Sequence, residues 1–190
     1  MSTEPNTADD PRVGDVDAID GPSPEVVVGH FFEAFARHDL DAICNLFTDD
    51  IIEDPGFGDP IEGIDNERAY LRDLWEAFPD ASIEMKHLMS AGRVVAVQYT
   101  RRGSFTGKEW QGLLPSGRSV VSYAGSFFEV EDDRISRITV YTDSGRILRG
   151  LGVLPEEGST GERLAIAMYR ARVRTRRGAR ALRPRRKVKR

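Results

Sequence analysis

Up to Phe78 the apolar residues of this chain recur at intervals of three and four, and from Ala81 onward they alternate. That change of period constrains the fold more than any other feature, because a helix buries every third or fourth side chain and a strand every second. Ser23-Pro24-Glu25 opens a first helix, Ser being a good N-cap and Pro favoured at the first helical position, and Val27, Phe31, Ala34 and Phe35 then share a face. Asp39 can cap a short second helix with Leu40, Ile43, Cys44 and Phe47 inside, and a third runs from about Asn66 to Phe78 and stops before Pro79. Beyond it, residues 82–89, 94–105, 119–131 and 134–143 read as strands. The turn formers Ala91-Gly92, Pro115-Ser116-Gly117 and Asp132-Asp133 separate them. Three helices followed by hairpin-linked strands predict an α+β domain with its helices on one face of an antiparallel sheet.

The net charge of −4 hides three unlike parts: residues 1–25 carry −6, residues 26–160 carry −10, and residues 161–190 carry +12 from 13 bases and one acid. With the periodicity, this predicts an acidic leader over 1–23 that is too polar to fold, one domain over 24–152, and a linker with a basic, Arg-rich, partly helical tail over 153–190. A single cysteine, Cys44, excludes an internal disulfide framework and a multi-cysteine zinc site, and fits a reduced cytoplasmic setting. The acidic start has no apolar run, and no stretch approaches the ~18 apolar residues of a membrane span, so a soluble protein is expected. His30, His38 and His87 lack metal-ligand spacing, and the glycines near 56–58 and 112–117 lack the Lys-Ser/Thr of a phosphate loop. Neither a metal nor a cofactor is expected.

In the stretch LFTDDIIEDPGFGDPIEG (46–63), Asp54 closes a short apolar run and precedes Pro55, which disfavours helical backbone at the residue before it. This stretch resembles the ketosteroid isomerases and the SnoaL-like polyketide cyclases of the nuclear-transport-factor-2-like superfamily. The resemblance continues through LWEAFPDASIEM (74–85), GLLPSGRSVV (112–121) and FFEVEDDRISRITVYTDSGRILRGLG (127–152). It implies a cone-shaped domain in which three N-terminal helices pack on a curved, mainly antiparallel sheet enclosing a pocket. Asp54 stands where the isomerases carry their general base, and Asp143 where the cyclases carry a last-strand acid/base aspartate. The resemblance thus implies Asp54 and Asp143 as catalytic groups in one apolar pocket, with Phe31, Phe35, Trp75, Tyr99, Ser126 and Tyr141 as substrate contacts. Strand alternation puts Thr139, Tyr141 and Asp143 on a common face. Two carboxyls in one such pocket would raise at least one pKa above the usual ~3.9 of Asp. The same residues also admit a structural reading, with Asp54 an N-cap or turn residue and Asp143 a strand-end carboxylate pairing with Arg146 or Arg149.

Several positions depart from the relatives. Phe31 and Ser126 stand where the isomerases carry a tyrosine and a protonated aspartate that hold the enolate oxygen, so efficient 3-ketosteroid isomerisation is not expected. Thr139 and Phe105 replace a tryptophan and a histidine of the cyclases. Limonene-type epoxide hydrolases of the superfamily use an Arg flanked by two Asp; Arg101 or Arg102 could serve, but spacing selects neither. The resulting expectation is a cofactor-independent cyclase or isomerase acting on a hydrophobic polyketide- or steroid-like carbonyl compound. The alternative is a non-catalytic module that binds a small hydrophobic molecule or a partner. Resemblance suggests a homodimer. The tail, where Leu164, Ala167, Met168 and Ala171 share one helical face among arginines, suggests non-specific binding to polyanions or an anionic membrane surface.

Overall fold

The computed structural model describes residues 21–56 and 58–181, with side chains to Arg174. Residues 1–20 of the expected leader, Phe57 and the tail from 182 lie outside the described residues. Helices α1 (Pro24–Ala36) and α2 (Leu40–Asn45) lead into strand β1 (Phe47–Asp54), the two-residue β2 (Ile61–Glu62) and helix α3 (Ile64–Ala77). Then come β3 (Ser82–Ala91), β4 (Val94–Ser104), β5 (Ser119–Glu131) and β6 (Arg134–Thr142), followed by α4 (Ser144–Gly150) and α5 (Thr160–Ala181). The fold is α+β: one curved, unclosed six-stranded sheet in the order β2-β1-β6-β5-β4-β3, with helices packed on it. Its pairs are antiparallel except β1 with β6, which run parallel.

Local chemistry explains the helix starts. Pro24 occupies the first turn of α1 without a side-chain cap from Ser23, whereas Asp39 caps α2 by accepting from the Ala42 N–H at 3.0 Å. The alternation expected for the four long strands is seen most clearly in β5, where Ser122, Ala124, Ser126, Phe128 and Val130 are buried and Val121, Tyr123 and Phe127 are exposed. Strand β1, like β2 and α4, is an element that periodicity did not mark. Its middle carries Asp49-Asp50, and its pairing with β6 slips between Phe47 and Ile52, so the alternation is broken.

The core lies between α1 and the inner sheet face. Phe128 on β5 meets Phe31 and Phe32 of α1 at centroid distances of 5.4 and 6.0 Å, and Phe47 of β1 lies 6.0 Å from Phe31. These are tilted and edge-on contacts, the geometries that ring quadrupoles favour. The outer face carries exposed Tyr123, Phe127 and Tyr141. Helix α5 leaves Leu164, Met168 and Tyr169 exposed, and among the described residues no helix is long and apolar enough to cross a membrane. Because Phe128 joins both layers, Phe128→Ala is expected to lower the unfolding free energy by about 3–5 kcal/mol, measured by urea denaturation.

Candidate active site

Strand parity decides which carboxyl enters the space under the helices. On β1, Phe47, Ile51 and Glu53 face inward, and Asp54 is exposed with its carboxylate accepting from the Gly56 N–H at 3.1 Å in a local turn. The isoleucine pair at 51–52 hides this parity in the sequence, since either could be the inner one. On β6, Ile138 and Val140 face inward, so Tyr141 points outward, 63 % exposed, against Phe127 of the outer face. Asp143 lies past the end of β6 and caps α4, accepting from the Arg146 N–H at 2.9 Å. The two aspartates expected to share a pocket are therefore not brought together: each serves backbone N–H groups at its own turn.

Of the expected substrate contacts, Phe31, Phe35, Tyr99 and Ser126 line one internal cavity of about 50 Å³, together with Glu53, Tyr70 and Arg101. Trp75 packs outside it, stacked on His38 at 4.7 Å and edge-on to Phe35 at 5.4 Å. A vestibule of about 100 Å³ shares Phe35, Tyr70, Leu74, Ile83 and Arg101 with the cavity and leads to a mouth near Trp110, Ile147 and Leu151. Of the two arginines that spacing left undecided, Arg101 is the inward one. Its Nη2 donates to Thr142 Oγ1 at 2.9 Å, and its guanidinium lies 6.0 Å from the Tyr99 ring centre. Arg102 is exposed, 3.8 Å from Glu84. The Tyr99 hydroxyl and Ser126 Oγ are hydrogen-bonded at 2.9 Å deep in the cavity.

Glu53 is 8 % exposed, and behind it on α3 sits Glu67 at 1 %. Burial pushes the Glu53 carboxyl well above the usual carboxylate range, against the lowering effects of a hydrogen bond with Glu67 and of the nearby Arg101 charge. Burial also pushes Glu67 up, and the charge of Glu53 and the hydrogen bond between the two raise it further. Burial raises the hydroxyls of Tyr70 and Tyr99 as well, which keeps both as neutral donors. The site thus holds a proton-accepting carboxyl, a fixed cation and neutral hydroxyls around an apolar space. Among the described residues, no cluster of His, Cys, Asp or Glu gathers as a metal site. Glu53, Glu67 and Tyr70 went unmarked in the sequence. Glu67 and Tyr70 sit at i and i+3 on α3 and so share a face, but a charged residue at such a position reads as solvent-facing unless its burial is known.

Residues 28–138 match the SnoaL-like domain family, more than half of the chain. The chain belongs to that family. No curated protein matches the sequence significantly. Among solved structures, a candidate SnoaL-like polyketide cyclase from Jannaschia sp. CCS1 is 21 % identical with a TM-score of 0.63, over 70 % of this chain and 93 % of that one. IdmH, a candidate polyketide cyclase from Streptomyces antibioticus, is 24 % identical with a TM-score of 0.59, over 69 % and 99 % of the two chains. An LEH-like epoxide hydrolase of M. tuberculosis is 19 % identical with a TM-score of 0.56, over 68 % and 90 %. At these identities the likeness speaks for the nuclear-transport-factor-2-like cone fold.

The carboxyl pair has a thermodynamic signature. With both carboxyls raised in the folded state, the native protein binds more protons than the unfolded chain once the pH exceeds the unfolded value of ~4.3 for Glu. Stability is then fullest below that value and falls as pH rises through the two raised pKa values. Glu67→Gln is expected to flatten this slope and to raise the melting temperature relative to the parent protein above neutral pH. Thermal melts across a pH series check both effects.

Proposed function

We propose that this chain is a small-molecule enzyme that moves a proton at the carbon next to a carbonyl of a hydrophobic substrate, in a reaction of the cyclase or isomerase type. The observation that carries this reading is Glu53: a buried carboxyl of raised proton affinity, at the end of an apolar cavity and near a guanidinium. A general base works best when its pKa approaches the working pH, and burial supplies that shift. Glu53 takes the proton from the carbon, and the C–H electron pair passes into the enolate. The developing oxyanion is held by Arg101 and by the Tyr99–Ser126 hydroxyl pair, donors fixed in place before the reaction. In ring closure the enolate carbon attacks a second carbonyl of the same molecule, and Glu53 returns its proton to the new alkoxide.

The cavity and vestibule are of the size that holds a single aromatic ring, so a larger substrate extends through the mouth beside Trp110. Polyketide-like compounds with one reactive ring fit this arrangement better than a fully enclosed steroid. The test needs no knowledge of the natural substrate: deuterium incorporation next to the carbonyl of small cyclic ketones and β-diketones, followed by NMR in D2O. The parent protein is expected to accelerate exchange, with Glu53→Gln reducing it ~100-fold or more and Asp54→Asn and Asp143→Asn leaving it near the parent rate. Loss of exchange in the aspartate variants with none in Glu53→Gln would sink the assignment.

The outer sheet face, with Phe127 and Tyr141 exposed edge-on to each other at 6.0 Å, supports pairing with a second copy of the chain. A dimer mass by light scattering that becomes monomeric in Phe127→Arg is the expected result. The basic tail supports polyanion binding without sequence selectivity. Heparin affinity is therefore expected to fall steeply as salt rises.

A further inference from the structure

We infer that Glu67 is a positioning residue for Glu53: it stays protonated and donates its carboxyl hydrogen to Glu53, so that two buried carboxyls share one proton and Glu53 keeps its charge beside the cavity. The shared proton is inferred from the burial of both carboxyls and from Glu67's oxygens lacking a donor, and only its consequence for turnover rests on reading Glu53 as the base. Glu67 is 1 % exposed, and neither of its carboxyl oxygens receives a hydrogen bond from a donor among the described residues. An ionised carboxylate in that position would forfeit its hydration with nothing in return, so the group is neutral. A neutral carboxyl carries an O–H that itself requires an acceptor, and the group it faces across the α3–β1 contact is Glu53.

The other groups around the pair fit this assignment. Arg101 on β4 is the cation that acts on Glu53; Asp54 on β1, although exposed, disfavours its charge. Tyr70 on α3 and Tyr99 on β4 are neutral, and Cys44 on α2 is a thiol that burial keeps protonated. Arg68, next to Glu67 in the chain, turns away to Asp41 at 2.6 Å. The pair as a whole therefore carries one negative charge, which the guanidinium offsets. Glu67 does not line the cavity, so its effect passes through Glu53. When Glu53 takes a proton from carbon, its hydrogen bond from Glu67 drops from charge-assisted to neutral strength, and returning the proton to the substrate oxygen restores it. That coupling favours release of the proton at the end of the cycle.

The experiment is a carboxyl-carbon NMR titration of the full chain with labelled glutamate, from about pH 4 to pH 10, spanning the ordinary Glu value and the raised range. Glu53→Gln and Glu67→Gln assign the two resonances, and a third variant, Glu67→Leu, removes the donor altogether. In the parent protein the Glu53 resonance is expected to respond in two steps, both above the ordinary ~4.3 of Glu. In Glu67→Gln it collapses to one step with its midpoint unchanged or lower, since the amide still donates but cannot ionise. In Glu67→Leu the midpoint moves up by about one pH unit or more, the size of a lost hydrogen bond to a charged group. The acid limb of the deuterium-exchange profile should move with it. Glu67 titrating near ~4.3, or two steps persisting in Glu67→Gln, overturns the proposal, and the latter comparison decides the matter even where Glu67→Leu does not fold. A shared proton found alongside undiminished exchange in Glu53→Gln would leave the pair standing and remove the base reading.

Discussion

The separation of the helical layer from the sheet is set by aromatic contact at one end and lost at the other. Phe128 reaches Phe31 and Phe32 across the gap, and around it Val95, Val97, Ile135 and Ile138 close the core almost completely. Moving along the strands toward Arg101 and Thr142, the inner positions change from apolar to polar. Space between the layers then remains unfilled by the chain itself. Filling it with more apolar side chains would stabilise the domain, so a cavity lined by polar groups carries a stability cost.

That cost is clearest at the two glutamates. A pair of carboxyls removed from water is among the least favourable arrangements a core can hold, and an apolar side chain of similar volume at position 67 would avoid that desolvation cost. Opposing influences act on Glu53. Burial and the neighbouring carboxylate of Asp54 favour its neutral form, while Arg101 and the hydrogen bond from Glu67 favour its charge. A group balanced in this way exchanges a proton with a bound molecule at small free-energy difference, which is what acid–base chemistry at carbon requires.

The fold was legible because its signal is distributed. The spacing in Pro24–Ala36 and the alternation in Ser119–Glu131 each rest on many residues, and a single ambiguous position changes neither. The site was legible only in part because it depends on single-residue parity. Asp54 and Glu53 are adjacent, and the choice between them turns on whether Ile51 or Ile52 faces the core, where hydrophobicity is silent. The same one-residue ambiguity on β6 favoured Tyr141 over its inward neighbours Val140 and Thr142. Phe31, Phe35, Tyr99 and Ser126 lie on elements whose inner face many other residues define, and the structure places all four in the cavity wall.

Asp143 shows a different limit. Its position after an alternating run makes it look like the last residue of a strand, yet Ser144-Gly145-Arg146 continues as a helix whose free N–H groups need an acceptor, and the carboxylate supplies it. The helix so capped carries Ile147 and, at its end, Leu151, which wall the vestibule, while Arg146 turns to the Tyr123 ring at 4.9 Å outside. Asp143 thereby shapes the mouth through the backbone without entering the cavity. A carboxylate can match a relative's catalytic position in sequence and still stand as a helix cap outside the cavity. What separates the two positions is their surroundings: Asp143 accepts from the Arg146 N–H at the surface, whereas Glu53 lies buried in the wall of the cavity that Arg101 also lines.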